Sequence, residues 1–189
     1  AHGVEADTLV SRAELAMYAA KQHQLGVKVY DAALDMSSDE SLSLLSELRT
    51  AVDRDQLRLY LQPKISLATG AVLGAEALVR WQHPQRGLVP PGKFIPFAEQ
   101  TGFIRVLTGW MIERSAMVLR QLHAGAPALK ISVNLSTRDL LDQDLPTKMQ
   151  RLIDTLSLNP HSMCLEITES AIMDDPQRAL QTLERLHAM

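Results

Sequence analysis

The chain has 189 residues, 46% of them apolar, with 22 acidic against 19 basic side chains and a net charge of −3. That much apolar material can build a sizeable core, which excludes a disordered chain. The near-neutral charge, without basic runs, argues against a protein that coats a nucleic-acid polymer but leaves room for a small phosphorylated ligand. No stretch approaches the roughly 20 apolar residues that cross a bilayer. The single cysteine, Cys164, can form neither an internal disulfide nor a thiolate metal site, so a reducing, cytoplasmic setting is expected.

Asp7 is placed to cap a helix in which Leu9, Ala13, Ala16, Met17 and Ala20 recur at helical spacing, and Val27, Val29 and Tyr30 predict a short strand. The polar run 35–41 has the composition of a domain boundary, so a new unit is expected from about residue 41. There Leu44, Leu48 and Ala51 or Val52 mark a helix, and Leu57, Leu59 and Leu61 alternate with Arg58, Tyr60 and Gln62 as in a strand. A turn near 68–70 leads to a second strand over 71–81, followed by a Pro- and Gly-rich loop over 84–92. Ile104, Leu107, Met111, Val118 and Leu122 predict an amphipathic helix, residues 129–135 a strand, and Asp144 the cap of a helix carrying Leu145, Met149, Leu152, Ile153 and Leu156. A strand over 163–168 and a last helix, opened by Asp175 as cap and Pro176 at its first position, complete the pattern. Alternating strands and helices predict an α/β fold with a mostly parallel sheet. Ala1 at the start, and a helical pattern running to Met189 without a stop signal, lead us to expect a piece of a longer chain.

Three strands alternate an apolar set with a polar one. Glu76 shares a face with Leu78 and Arg80; Lys130, Ser132 and Asn134 share another; Cys164, Glu166 and Thr168 share a third. In an open sheet these sets would face water, whereas in a barrel covered by helices they would gather at the C-terminal strand ends. There Glu76, Asn134 and Glu166 would form an oxygen-donor set suited to Mg²⁺ or Mn²⁺, although acidic residues at strand ends also occur simply as caps or ion pairs. Arg80 could fork onto a phosphate, stack on a base, or form a surface ion pair. His83, Met17, Met111, Met117, Met149, Trp81 and Trp110 read as turn or packing residues, and Cys164 as a small buried one.

The segment Glu76-Ala77-Leu78-Val79-Arg80-Trp81 resembles the signature of the EAL family of cyclic-di-GMP phosphodiesterases. The resemblance extends in order through Leu61-Gln62-Pro63-Lys64, the run from Phe94 to Gly102, Ser132-Val133-Asn134-Leu135-Ser136 and Leu165-Glu166-Ile167-Thr168-Glu169-Ser170. The run from Arg12 to Lys21 resembles the last helix of a GGDEF diguanylate cyclase domain.

These resemblances imply the C-terminal tail of a GGDEF domain over 1–31, a linker over 32–40, and the N-terminal portion of an EAL domain over 41–189. The fold implied is an incomplete TIM-type (β/α)₈ barrel, since a full barrel takes about 250 residues. The activity implied is hydrolysis of cyclic di-GMP to linear pGpG in bacterial second-messenger signalling, with a non-catalytic cyclic-di-GMP receptor or interaction module as the alternative. Glu76, Asn134 and Glu166 would be metal ligands of a two-metal Mg²⁺ or Mn²⁺ site only partly present in this chain. Gln62, Leu78 and Arg80 would line the dinucleotide pocket, and Glu169 would support a loop over it. The family's aspartate pair, general-base lysine and a further glutamate are absent from this chain, so the piece alone is expected to be inactive, within a parent expected to be a homodimer.

Overall fold

Strand residues that alternate between apolar and polar build the sheet. We describe it from a computed structural model covering residues 5–22, 26–31, 44, 46–123, 125, 128–168 and 175–189. The strands are β1 (Leu57–Ile65), β2 (Val72–His83), β3 (Gly87–Val89), β4 (Lys130–Leu135) and β5 (Met163–Ile167). They lie in the order β1-β2-β4-β5, with β3 paired to β2. Only β2, β4 and β5 run parallel; β1 and β3 are antiparallel to β2, which corrects the mostly parallel expectation. The cause is local. Ser66 and Gly70 close the β1–β2 turn with backbone bonds of 2.8 and 2.9 Å, and Gly87, at φ 68°, turns the chain back so that β3 forms inside the expected loop.

The helices are α1 (Ala6–Gln22), α2 (46–53), α3 (Ile95–Thr101), α4 (Ile104–Leu122), α5 (Thr137–Leu140), α6 (Leu145–Leu156) and α7 (Pro176–His187). Leu57, Ala77, Val79, Trp81, Ile131, Val133 and Leu135 share one face of the sheet and are buried with Leu48 of α2, Leu107 and Leu119 of α4, Met149 of α6 and Ala179 of α7. Burying this face forces the intervening side chains onto the other, where Gln62, Lys64, Asn134 and Cys164 are exposed. β2 and β4 approach so closely that a Cβ on Gly74 would lie 2.5 Å from the Lys130 carbonyl oxygen. Glycine there lets Glu76 stand beside β4.

His83 is a packing residue, as its place beside a proline suggested. It is buried, its Nδ1 accepts the backbone N–H groups of Gln85 and Arg86 at 3.1 Å, and its Nε2 bonds Glu47 of α2. Trp81 is fully buried, edge-on to His83 and Phe94, with its indole N–H donated to Gln56 at 3.2 Å.

Several local expectations are corrected. Residues 27–31 form no strand, since Val27 and Val29 stand exposed with no paired neighbour among the described residues. Met17 and Met117 lie on the outer faces of α1 and α4, 66% and 46% exposed, whereas Met111 and Met149 do fill the core. α1 begins at Ala6, which puts Asp7 inside the first turn rather than at the cap. The Asp144 side chain does not cap α6; its own N–H is instead held by Asp142 Oδ1 at 3.0 Å. Asp175 caps α7 as expected, accepting from Arg178 N at 3.2 Å. The expected linker over 32–40, the unit start near residue 41 and the loop glutamate Glu169 lie outside the described residues.

Asp142 gives the fold a defined acid sensitivity. Burial alone would push its carboxyl up, but the Lys148 ammonium at 2.9 Å, the Asp144 N–H and the nearby Lys148 and Arg105 charges outweigh it and hold the group below the usual carboxylate range. The folded state therefore binds this proton less tightly than the unfolded chain. The stabilisation is fully present above about pH 4 and is lost as pH falls through the depressed folded value. Asp142→Asn is expected to be less stable than wild type at pH 6, with the gap closing on acidification. Urea melts across pH 3–7 check this, and a pH-independent gap would refute it.

Candidate functional site

The sheet face turned away from the core carries Tyr60, Gln62 and Lys64 of β1, Glu76, Leu78 and Arg80 of β2, Ser132 and Asn134 of β4, and Cys164 and Glu166 of β5. Register aligns these sets across the sheet: Gln62 lies opposite Glu76, Glu76 opposite Ser132, and Asn134 opposite Glu166. Asn134 Nδ2 donates to Glu76 Oε1 at 2.7 Å, so the amide and the first carboxylate are in direct contact. Glu166 stands beside Asn134 by strand register, and it is held by Lys64, whose ammonium donates both to Glu166 and, at 2.8 Å, to Ser132 Oγ.

That ammonium sets the electrostatics. Its hydrogen bond holds the Glu166 carboxyl below the usual range against the opposing effect of burial, and Ser132 adds to the lowering. Glu166 in turn raises Lys64, helped by the charge of Glu76. Arg80 is placed differently. Its guanidinium lies over the Tyr60 ring at 5.7 Å and donates to the Val79 carbonyl at 2.9 Å. With Leu78 and Asn134 it borders a cleft of about 970 Å³ whose far wall includes Ile95 and Glu99. Shielding of the Glu99 carboxyl, with the Asp139 charge nearby, pushes that group up. Asp139 itself is buried, accepting from Thr108 Oγ1 at 3.0 Å and from Ser136 N and Oγ at 2.8 and 2.6 Å, which fixes the loop after β4.

Glu76, Asn134 and Glu166 are thus gathered on one face, with Leu78 and Arg80 at the adjoining cleft, while Gln62 is placed by backbone register alone. Cys164 corrects an expectation. It is exposed because it alternates with Met163 and Leu165, which pack against the core, and so falls on the opposite face of β5. Lys64 and Tyr60 went unremarked as site residues, although counting by two from Gln62 puts both on its face.

Among the described residues no three His, Cys, Asp or Glu side chains cluster closely enough to ligate a metal by themselves. The candidate set is two carboxylates and an amide oxygen, a hard-oxygen set that fits Mg²⁺ or Mn²⁺ better than zinc. One oxygen of that set, on Glu166, already holds a cation, the Lys64 ammonium, which Ser132 Oγ also accepts. A second cavity of about 500 Å³, between α1 and residues 26–30, has no carboxylate in its lining.

Residues 45–189 match the EAL domain family. The chain belongs to the EAL family. Among its relatives are the bifunctional diguanylate cyclase/cyclic di-GMP phosphodiesterase MucR of Pseudomonas aeruginosa, 38% identical over 183 residues (96% of this chain), and the cyclic di-GMP phosphodiesterase PdeR of Escherichia coli, 34% identical over 185 residues (97% of this chain). The chain spans only 27% and 28% of the length of these two proteins. Its fold is similar to that of the PaMucR phosphodiesterase in complex with c-di-GMP, with a TM-score of 0.72 at 39% identity, covering 77% of this chain and 60% of that one. The mixed α/β fold is therefore that of EAL domains, whose phosphodiesterases depend in general on divalent metal ions. No helix among the described residues is long and apolar enough to cross a membrane.

Proposed function

We propose that this EAL chain supplies part of the active site of a metal-dependent phosphodiesterase that opens cyclic di-GMP to linear pGpG. The observation that carries this reading is the convergence of Glu76, Asn134 and Glu166 on one sheet face beside the Arg80 cleft. Glu76 and Glu166 would hold Mg²⁺ or Mn²⁺ through carboxylate oxygens, and Asn134 through its amide oxygen. Ions of this kind, when bound, activate water and neutralise charge developing on the phosphodiester. An acidic chain can then bind an anion, because the ions supply the positive charge.

Arg80 positions substrate. Tyr60 holds its guanidinium at the cleft, where the flat fork suits a phosphate or a guanine face. Leu78 and Gln62 would complete the adjoining wall, and Glu169 would brace a loop over it. Because the chain spans 60% of the PaMucR structure, the remaining ligands and the general base would come from further sequence in the parent, which would be a barrel of (β/α)₈ type. Residues 1–31 would be the end of a GGDEF domain joined through 32–40. The motif from Arg12 to Lys21 supports this, as does a match to MucR that covers 96% of the chain and so extends beyond the EAL segment.

The test is calorimetric binding of cyclic di-GMP to the full-length protein in Ca²⁺, an oxygen-seeking ion expected to support binding without turnover. Wild type is expected to bind, and Arg80→Ala to bind at least about tenfold more weakly, the loss of one charge-assisted contact. Unchanged affinity in Arg80→Ala would remove Arg80 from the pocket. Binding by wild type without hydrolysis in Mn²⁺ would assign a receptor instead.

A further inference from the structure

We infer that Lys64 is a resident counter-cation of the strand-end cluster, and that a divalent metal ion must displace it from Glu166 to fill the site. The inference rests on the metal-ligand reading above and adds to it a residue that sets how readily the site takes a metal.

The geometry is specific. Lys64 leaves β1 opposite Gly74 and reaches across the sheet to β4 and β5, where its ammonium donates to Ser132 Oγ at 2.8 Å and to Glu166 Oε1. A loose surface pair between Lys64 and Glu166 would be worth little, because both side chains keep substantial exposure, 43% and 34%. Ser132 distinguishes this pair from such a contact. It is only 5% exposed, so the ammonium is anchored at a fixed, buried oxygen rather than swinging in solvent.

The Glu76 carboxylate, tied to Asn134 at 2.7 Å, stands on the same face of the sheet, opposite Ser132 in register. The positive charge therefore takes up one oxygen of Glu166, on the sheet face where Glu76 and Asn134 also stand. A divalent ion entering there meets both a competitor for that oxygen and a like charge a few ångströms away. Without a metal, Lys64 neutralises the Glu166 carboxylate and keeps it turned toward Ser132 of β4. With a metal, the ammonium has to swing out along the open face.

The test is Mn²⁺ binding to the full-length protein, measured by calorimetry and by the Mn²⁺-dependent shift in melting temperature, neither of which requires turnover. Lys64→Met is expected to bind Mn²⁺ about tenfold more tightly than wild type, the scale expected for removing one nearby unit charge at a half-exposed site. Its metal-free form should melt lower than wild type and gain more on adding Mn²⁺. Lys64→Arg, which keeps the charge, is expected to stay close to wild type. Glu166→Gln is the control and should weaken Mn²⁺ binding in both the wild-type and Lys64→Met backgrounds.

Equal or weaker Mn²⁺ binding by Lys64→Met, with Glu166→Gln still impaired, overturns the role of Lys64 and leaves the ligand assignment standing. Wild-type binding by Glu166→Gln overturns the ligand assignment itself. Failure of both wild type and Lys64→Met to bind at millimolar Mn²⁺ overturns the inference as well.

Discussion

Glu166→Gln is expected to lower cyclic-di-GMP hydrolysis by the full-length protein at least about a hundredfold while leaving it folded. Even outer partners of a metal ligand cost roughly 10–100-fold when removed, so loss of a ligand should cost no less. The substitution keeps the side chain's shape and takes away the charge that meets Lys64 and, on the proposed reading, the metal. Glu166 is half-exposed, so no core packing is lost. Glu76→Gln should behave alike, since Glu76 stands on the same face in contact with Asn134. Turnover of cyclic di-GMP, followed by chromatography of the linear product, is the measurement. Near-wild-type turnover in either variant would remove that residue from the metal-ligand set.

The largest loss of stability is expected at Trp81. Trp81→Ala deletes a fully buried indole that packs edge-on against Phe94 and His83 and donates to Gln56, and it leaves a cavity between the sheet and its helices. Large aromatic deletions of this kind cost about 3–5 kcal/mol. Because Trp81 lies on the core face of the strand that carries Glu76, Leu78 and Arg80, the loss should also loosen the site. A urea midpoint reports the stability change, and a cost below about 1 kcal/mol would contradict the packing described.

The period of two in the strands made much of the site legible from sequence. Once Ala77, Val79 and Trp81 are assigned to the core, Glu76, Leu78 and Arg80 have to share the other face, and the same reasoning places Asn134 and Glu166 on theirs. Pairing across strands was not legible in this way. That Lys64 reaches Glu166, 102 residues later, depends on β1 running antiparallel beside β2 with β4 and β5 in parallel register, which is a tertiary outcome.

Local patterns failed where a partner was missing or a nearer group took the role. Val27 and Val29 have the β-branched character of a strand but no neighbour to pair with among the described residues. Asp144 has a capping side chain, yet Asp142 captures the backbone N–H there. Met17 and Met117 are apolar, but helical geometry turns them outward. The three-residue β3 was hidden in a Pro- and Gly-rich segment because its pairing with β2 depends on the turn at Gly87 more than on its own residues.

Incubation of the full-length protein with cyclic di-GMP and Mn²⁺, with the products separated by chromatography, tests the central claim most directly. The expected result is conversion to linear pGpG that stops when the metal is chelated. Cyclic di-GMP recovered intact from a folded, Mn²⁺-loaded protein would contradict the claim that these residues serve a phosphodiesterase.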